Sequence, residues 1–211
     1  MRQRRVKKRS SILELCSNYI YDESKLEEAA KGRPIYLEIG SGKGQFLCNM
    51  AKLHPENFYL ACEGGYNINI RILQKAQEMQ LDNLLVITEY ITVPTDWFKP
   101  NTLAGIYINF CDPWPKDRHA HRRLTYRNLL EQYKIISSAG ACLEFKTDND
   151  ELFDWSLTEI EAAGLNPPLE FSRDLWNSEF AEKNIHTEYE DKFGANGKSI
   201  NYIKLKLKAD Q

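Results

Sequence analysis

Three glycines at alternate positions follow a short apolar run in the segment Gly-Ser-Gly-Lys-Gly, residues 40–44 (the glycine turn). Glycine lets the backbone turn tightly and lets a ligand lie against it. The spacing differs from the G-x-G-x-x-G of dinucleotide folds and from the G-x-x-x-x-G-K-[ST] that cradles a triphosphate. Glu63 stands 19 residues after Gly44, after the next apolar run, where an acid hydrogen-bonds ribose hydroxyls in nucleoside-binding sheets. The two signals together favour a nucleoside cofactor over an ordinary strand-to-helix turn followed by a surface glutamate.

A second chemical signal is the segment NFCDPWPK, residues 109–116 (the Asp112 corner), which follows another apolar run. Pro113 and Pro115 restrict the backbone, and Trp114 offers a flat apolar face, so we expect Asp112 to be held rigidly in a partly dry setting. A carboxylate there accepts hydrogen bonds from the N–H groups of a base or stabilises developing positive charge. A structural Pro-Trp-Pro turn is the alternative, but it requires neither Asp112 nor Lys116.

Positive charge is concentrated in two places. Residues 1–10 (the N-terminal arm) contain no acid and six cations, namely Arg2, Arg4, Arg5, Lys7, Lys8 and Arg9. Residues 116–127 (the basic segment) contain one acid and five cations, namely Lys116, Arg118, Arg122, Arg123 and Arg127. Because 28 Lys and Arg stand against 30 Asp and Glu, giving a net charge of −2, attraction to nucleic acid must come from such local patches. A solvated terminus and a polar helix face are the alternative.

Two more polar segments follow later in the chain, FKTDN at residues 145–149 and NIHTEYE at residues 184–190. Asn149 is explained by a role as a helix cap, but Asp148 is not. Thr187 and Glu190 are three residues apart, a spacing that also fits a capping box. We therefore treat Asp148, Thr187 and Glu190 as candidate site residues with a structural alternative.

Other chemistries fit the sequence less well. His119 and His121 have no partner Cys or Glu at ligand spacing, so no metal is expected. No G-x-S-x-G nucleophile motif occurs. Cys111 has no obvious activating base beside it. The five cysteines are scattered without C-x-x-C, which favours reduced thiols in a cytoplasmic protein.

The candidate residues stand at the ends of predicted strands that alternate with helices. Strands are predicted at 35–39, 57–62, 84–88, 104–110 and 141–146, with a further extended stretch at 169–173 and an alternating strand at 199–208 after a turn at 194–197. Helices are predicted after Gly44, from about Ile68 to Met79, from Thr125 to a point before Gly140, and from an Asn149 cap to Gly164.

This order predicts an α/β protein with a Rossmann-like, mainly parallel sheet, an antiparallel C-terminal strand and helices on both faces. Ligands of such sheets bind beyond the carboxyl ends of the strands. We predict an N-terminal arm with a leading helix at residues 1–34 and a single domain at residues 35–211.

Composition sets the remaining limits. The 211 residues are 42% hydrophobic and 27% charged, as in ordinary globular proteins. No apolar run approaches the ~20 residues of a membrane span, and no apolar stretch follows the charged start, so neither a membrane anchor nor a secretory signal is expected. No feature indicates an obligatory protein partner, and a monomer or homodimer is expected.

The four segments in this order resemble the bacterial tRNA (guanine-N7-)-methyltransferase family. LEIGSGKGQFL, NFCDPWPKDRHAHRRL, EFKTDN and NIHTEYEDKF carry the resemblance, which runs from about residue 35 to the C-terminus. It implies a class I methyltransferase fold, S-adenosylmethionine (SAM) as methyl donor, and a guanosine of the tRNA variable loop as substrate.

The resemblance also implies roles for single residues. Asp112 falls at the catalytic position. Cofactor positions are Glu38, Gly40, Gly42, Gly44, Glu63, Tyr90 and Asp112, and substrate positions are Lys116, Asp148, Thr187 and Glu190. We also expect Arg118, Arg122, Arg123 and the N-terminal arm to grip phosphates.

The chain departs from the family pattern beside the adenine end of the cofactor. The family usually has Gly-Asp-Ala where this chain has Glu89-Tyr90-Ile91, and bulkier residues are common where it has Gly64 and Gly65. Tyr90 is able to stack on adenine or hydrogen-bond to it, but does not accept a hydrogen bond as an ionised acid does. The alternative function is therefore a tRNA-binding paralogue with weakened or lost SAM binding; a nicotinamide-dependent reductase is a more distant one.

Overall fold

A computed structural model describes residues 9–165, 167–193 and 197–209 of the chain. Within these ranges the chain forms seven strands: β1 (Ile35–Ile39), β2 (Phe58–Cys62), β3 (Leu84–Ile87), β4 (Leu103–Asn109), β5 (Ser137–Thr147), β6 (Glu170–Ser172) and β7 (Asn201–Lys206). The α-helices of the same ranges are α1 (Arg9–Leu15), α2 (Leu26–Ala30), α3 (Gln45–Leu53), α4 (Asn69–Glu78), α5 (Arg127–Ile136), α6 (Asp150–Ala162) and α7 (Glu188–Phe193). None of the helices described is long and apolar enough to cross a membrane.

The chain divides into two compact units. The first runs to Ile91 and also includes Ile185–Glu188, and the second comprises Thr92–Asn184 and resumes at Tyr189. The predicted division into an arm at residues 1–34 and a domain at residues 35–211 stays a prediction.

The first unit is built on three parallel strands in the order β3-β2-β1. Every residue of β2, with the sequence FYLAC, is buried, as expected of a strand in a parallel sheet that is covered on both faces. Helix α3 buries Phe46, Leu47, Cys48 and Ala51, and α4 buries Ile70, Ile72, Leu73 and Ala76. Both sets recur at helical spacing, so the apolar periodicity of the sequence identified these helices correctly.

The second unit has four strands in the order β4-β5-β7-β6. β4 and β5 are parallel, whereas β7 is antiparallel both to β5 and to β6. The predicted mainly parallel architecture with an antiparallel C-terminal strand is thereby confirmed. The turn predicted at residues 194–197 lies outside the described residues except for Gly197.

Strand β5 is longer than predicted. Helix α5 ends at Ile136, and β5 begins at the next residue instead of at Ala141. The pairing with β4 shifts between Leu103↔Ser137 and Gly105↔Cys142, and Gly140 lies in this irregularity with a φ of +75°, which glycine adopts without a Cβ clash. Ser138 Oγ donates to the Leu103 carbonyl at 3.0 Å, which keeps the early part of β5 against β4.

Helix α6 is held at its start and through its buried face. The Asn149 side chain accepts a hydrogen bond from the Leu152 N–H at 2.7 Å, so the predicted cap is confirmed. Farther along, buried Glu159 receives three hydrogen bonds from Arg127: from the backbone N–H at 2.9 Å, from Nε at 2.9 Å and from Nη2 at 2.7 Å. This pair joins α6 to the first residue of α5.

Replacing Glu159 with Gln is expected to lower the free energy of unfolding by about 1–3 kcal/mol at neutral pH, because charge-assisted hydrogen bonds are lost. The pKa of Glu159 lies below its ordinary value, mainly because of the hydrogen bond from Arg127. The stabilisation is therefore complete above the pKa of an unfolded glutamate and is lost as the pH falls through the folded pKa. Urea unfolding of both proteins at neutral and acidic pH should show the gap narrowing in acid. Exposed Glu161 on the same helix supplies the control Glu161→Gln, with a change under about 0.5 kcal/mol; equal losses for the two variants contradict the assignment.

Candidate functional site

The glycine turn connects β1 to α3 in the first unit. Gly40, Gly42 and Gly44 have φ values of +84°, +54° and +78°, a region that residues with a Cβ rarely adopt. The Gly40 N–H donates to the Cys62 carbonyl at 2.9 Å, which ties the turn to the end of β2. Apart from the glycine itself and its two neighbours in the chain, no described residue has an atom within 4 Å of an ideal Cβ at Gly40 or at Gly42. The turn therefore presents open main chain beyond β1.

Glu63 fastens this turn to the loop that follows β2. Its Oε2 accepts a hydrogen bond from the Gly42 N–H at 3.0 Å, and its Oε1 accepts one from the Gly65 N–H at 2.7 Å. Glu38 is a buried residue of β1, and its carbonyl accepts a hydrogen bond from Ser41 Oγ at 3.1 Å. Among the predicted cofactor residues, Glu63 is thus hydrogen-bonded directly to Gly42 of the glycine turn, and Glu38 is hydrogen-bonded to Ser41 of the same turn.

Tyr90 lies over the glycine that follows Glu63. A Cβ built at Gly64 would stand 2.4 Å from Cγ of the Tyr90 ring, so the ring lies directly on this glycine. The side chain is nevertheless 71% exposed, which leaves much of its aromatic surface uncovered. Tyr90 therefore extends the wall of the Glu63 loop and is not among the atoms near Gly40 and Gly42.

Glu188 is a residue of this unit that sequence reasoning did not select. Its carboxylate accepts hydrogen bonds from the backbone N–H of Gln45, the first residue of α3, at 3.2 and 3.3 Å. It also forms an ion pair of 2.8 Å with Lys75 Nζ. A carboxylate at a helix N-terminus stabilises the unpaired N–H groups and the helix dipole. Its place in the polar segment 184–190 is the signal that points to it.

The N-terminal arm is described only from Arg9 onward, and its other cations lie outside the described residues. The Arg9 guanidinium lies 3.8 Å from the centroid of the Tyr66 ring. It donates to the Tyr66 carbonyl and, at 3.0 Å, to Asn69 Oδ1. The Asn69 amide in turn donates to the Glu63 carbonyl at 3.1 Å. Arg9 thus attaches helix α1 to the segment that follows Glu63.

The Asp112 corner belongs to the second unit and leaves β4. Phe110 and Trp114 have φ values of +50° and +43°, which are strained for residues other than glycine. Asp112 and Lys116 are exposed, so the partly dry setting expected for Asp112 is wrong, whereas the expected rigidity of the corner stays a prediction. The sharp turns at Phe110 and Trp114 place Asp112 at the surface between them.

The basic segment divides into exposed and buried cations. Arg118 and Arg122 are exposed, and the Arg122 guanidinium lies 4.9 Å from the centroid of the Trp114 ring. Arg123 is only 6% exposed, and its guanidinium donates to main-chain carbonyls of the Asp112 corner. The expectation that Arg123 grips phosphate is therefore wrong, because its donors are already engaged inside the protein.

Asp148 lies at the end of β5 and is partly exposed. Its Oδ2 accepts a hydrogen bond from the Tyr189 hydroxyl at 2.9 Å and from Lys198 Nζ at 3.0 Å. The Tyr189 ring stacks on Phe110, with 4.7 Å between ring centroids. Asp148 is thus connected through Tyr189 to Phe110 of the Asp112 corner.

Thr187 and Glu190 are both buried. Glu190 Oε2 forms a buried ion pair of 3.2 Å with Lys146 Nζ, and its Oε1 accepts a hydrogen bond from the Asn184 amide at 2.8 Å. Lys146 Nζ also donates to Asn184 Oδ1 at 3.0 Å. A buried charge needs such partners, and these contacts attach residues 184 and 190 to β5.

Cys111 is not suited to act as a nucleophile. Burial, reinforced by the negative charge of Asp112, raises the pKa of its thiol to about 12, whereas a nucleophilic cysteine needs a thiolate. Among the described residues no cluster of three His, Cys, Asp or Glu side chains is able to hold a metal ion.

Known proteins resemble this chain along most of its length. Residues 32–203 match a family model with the description "Putative methyltransferase". The tRNA (guanine-N(7)-)-methyltransferase of Latilactobacillus sakei is 46% identical over 171 residues, which are 81% of this chain and 80% of that protein. The chain belongs to the tRNA (guanine-N7-)-methyltransferase family. A second relative of the same name, from Mycoplasmopsis pulmonis, is 37% identical over 209 residues, 99% of this chain and 100% of that protein.

Solved structures support the fold. The 16S rRNA methyltransferase KamB has a TM-score of 0.64 at 13% identity, covering 88% of this chain and 92% of that one. A mutant of the 16S rRNA (adenine(1408)-N(1))-methyltransferase from Catenulisporales acidiphilia, solved with cosubstrate SAM, has a TM-score of 0.60 at 12% identity, covering 90% of this chain and 92% of that one. The predicted methyltransferase fold is confirmed.

SAM is the cofactor of this family member, and the first unit fits it. The open space beside Gly40 and Gly42 leaves room for a ligand against the main chain. Each carboxylate oxygen of Glu63 accepts a hydrogen bond from one backbone N–H. A carboxylate after the second strand of such a sheet is the type of group that binds ribose hydroxyls.

Replacing Gly44 with Ala is expected to lower the free energy of unfolding by about 2–4 kcal/mol. The alanine has to keep the positive φ of Gly44, and its Cβ lies 2.7 Å from Cγ2 of Ile72. Backbone strain and overpacking therefore both destabilise the variant. The matched variant Gly42→Ala adopts a positive φ in open space and should lose only about 1 kcal/mol. Urea unfolding without ligand measures both, and an equal loss for the two variants would show that Ile72 does not restrict Gly44.

Proposed function

We propose that this chain transfers a methyl group from SAM to N7 of a guanosine in the variable loop of tRNA, acting in the cytoplasm as a monomer or homodimer. The observation that carries the proposal is the exposed Asp112 carboxylate in a strained corner, in a chain 46% identical to a protein named for this reaction. The alternative of a paralogue without SAM binding lacks support, since Tyr90 lies on Gly64 and not in the space beside Gly40 and Gly42.

Methylation of guanine N7 requires little acid–base chemistry from the protein. Guanine N7 carries a free lone pair and is a hydrogen-bond acceptor, so no general base is needed to deprotonate it. When bound, SAM supplies an activated methyl group on a sulfonium. The protein must align the base with that group, and alignment contributes up to about 7–11 kcal/mol in ideal geometry.

Asp112 is the residue suited to hold the base. An ionised carboxylate accepts two hydrogen bonds side by side, as the N1–H and the exocyclic amino group of guanine require. Its negative charge also stabilises the positive charge that the base acquires on methylation. The corner that carries Asp112 is restricted at Phe110 and Trp114, which limits the motion of the carboxylate.

The cofactor residues we propose are Glu38, Gly40, Gly42, Gly44, Glu63, Tyr90 and Asp112. Glu63 accepts from ribose hydroxyls, and the main chain at Gly40 and Gly42 lies against the ligand. Tyr90 offers its uncovered ring surface to adenine, because Gly64 supports the ring from beneath.

The substrate residues we propose are Lys116, Asp148, Thr187 and Glu190, aided by the exposed cations Arg118 and Arg122. Lys116, Arg118 and Arg122 are placed to contact tRNA phosphates, and Asp148 to contact the substrate directly. Thr187 and Glu190 are buried, and they support the substrate side by holding the segment that contains Tyr189. The target base leaves its stack to reach Asp112.

Replacing Asp112 with Asn should lower the rate of 7-methylguanosine formation at least about 100-fold, because the charge that stabilises the methylated base is removed. The affinity for tRNA should change less than about threefold, because phosphate contacts supply most of it, and any loss of SAM affinity should be small compared with the loss of rate. Labelled SAM, unmodified tRNA and nucleoside analysis measure the rate, and filter binding and calorimetry measure the affinities.

Asp117→Asn is the matched control, because Asp117 is an exposed carboxylate in the adjacent basic segment and should leave the rate unchanged. Full activity in the Asp112 variant, or methylation at another atom of the nucleoside in the parent protein, would refute the assigned role.

Tyr90 should contribute to SAM affinity through its ring and not through its hydroxyl. Tyr90→Ala is expected to weaken SAM binding about 5- to 150-fold, the range for loss of one base–aromatic stack, whereas Tyr90→Phe should bind within about twofold of the parent. Calorimetry with SAM and with S-adenosylhomocysteine measures both. If the Phe variant loses as much affinity as the Ala variant, Tyr90 acts through its hydroxyl and the stacking role is wrong.

A further inference from the structure

The backbone of the Asp112 corner combines two prolines with two residues at strained φ values. Pro113 and Pro115 have no backbone N–H, so the corner has few donors of its own. Phe110 and Trp114 are held at positive φ, a strain that persists only when the surrounding structure enforces it. Because neither proline donates a hydrogen bond, donors from elsewhere in the chain that bind the Pro113 and Trp114 carbonyls bear on the conformation of the corner.

Arg123 supplies these donors. Its Nε donates to the Pro113 carbonyl at 3.1 Å and to the Trp114 carbonyl at 3.3 Å, and its Nη2 donates to the Trp114 carbonyl at 3.0 Å. The planar fork of a guanidinium fits two neighbouring acceptors in a way that a lysine ammonium does not. One buried side chain thus binds both carbonyls that directly follow Asp112.

The guanidinium is itself fixed from the side of α6. It lies 4.3 Å from the centroid of the Trp155 ring, and Trp155 stacks on Tyr126 with 6.4 Å between centroids. The Arg123 N–H also donates to the Ala120 carbonyl at 3.0 Å, which closes the short helical turn Asp117–Arg122. Arg123 therefore connects the corner, the exposed cations and helix α6.

We infer that Arg123 is a positioning residue for methyl transfer: it holds the Asp112 corner in the strained conformation that presents the Asp112 carboxylate to the target base. The inference rests on the proposed function of Asp112. It assigns the cations of the basic segment to two roles, because exposed Arg118 and Arg122 meet the polyanion while buried Arg123 acts on the protein's own main chain.

The test is steady-state kinetics of Arg123→Lys with full-length protein, unmodified tRNA and labelled SAM. Lysine keeps the charge but loses the fork, so kcat should fall about 10- to 100-fold, as small misplacements of a catalytic group do. KM for tRNA, its salt dependence and the affinity for S-adenosylhomocysteine should stay within about twofold. Arg71→Lys, at an exposed position of α4, is the matched control and should change nothing.

The opposite pattern overturns the inference. A raised KM for tRNA with a reduced salt slope and unchanged kcat is the signature of a phosphate contact. We expect that signature for Arg122→Gln, which removes the charge, so Arg122→Gln and Arg123→Ala, which each lose one cation, are the direct comparison. Full activity in Asp112→Asn refutes the proposed function. That result is separate from failure of this inference, because it is measured in a protein in which Arg123 is unchanged.

Chemical rescue separates positioning from general stability. Arg123→Ala should regain at least about tenfold in kcat with millimolar methylguanidinium but not with methylammonium, because only the former restores the paired donors. If the Arg123 variants fail to fold by circular dichroism, Trp155→Leu removes the ring beneath the guanidinium. That variant should then show the same selective loss of kcat, and a loss of stability with unchanged kcat would refute the inference.

Discussion

The carboxylate of Glu63 is the interaction on which the cofactor side of this protein depends. It binds the N–H of Gly42 in the loop after β1 and the N–H of Gly65 in the loop after β2. Glu63 thus joins the two loops, in addition to the hydrogen bond from the Gly40 N–H to the Cys62 carbonyl that ties the glycine turn to the end of β2. Because each carboxylate oxygen accepts from a backbone N–H, Glu63 organises the main chain of both loops on the cofactor side.

In the second unit, a side chain of the opposite charge, Arg123, binds the main chain of a turn. The Glu63 carboxylate accepts hydrogen bonds from backbone N–H groups, whereas the Arg123 guanidinium donates hydrogen bonds to backbone carbonyl groups. Both are charged side chains that bind main chain at a sharp turn, where regular secondary structure leaves polar groups without partners. In both places the charged side chain binds the main chain of a loop. Glu63 binds the glycine turn, and Arg123 binds the corner that carries Asp112.

Local patterns in the sequence were sufficient to predict most of the fold. The all-apolar β2 and the helical periodicity of α3 and α4 are local signals, and the structure follows them. The early part of β5 was missed because Ser137–Gly140 lacks apolar alternation and is stabilised by pairing with β4. The burial of Arg123 is not predictable for a related reason. A run of cations is typical of a solvent-exposed surface, and only the fold shows that one of these side chains is buried. The Lys146–Glu190 pair joins residues 44 positions apart, and no local pattern indicates such a partner.

The contact between Tyr90 and Gly64 makes the two positions depend on each other unequally. A Cβ at position 64 would meet the Tyr90 ring closer than real Cβ atoms approach, so any other residue there requires the ring to move. Because the ring is largely exposed, solvent leaves it room to move, and the aromatic surface beside the Glu63 loop then moves with it. A change at position 90, by contrast, requires no adjustment of Gly64. The absent side chain at position 64 therefore determines where the tyrosine ring lies.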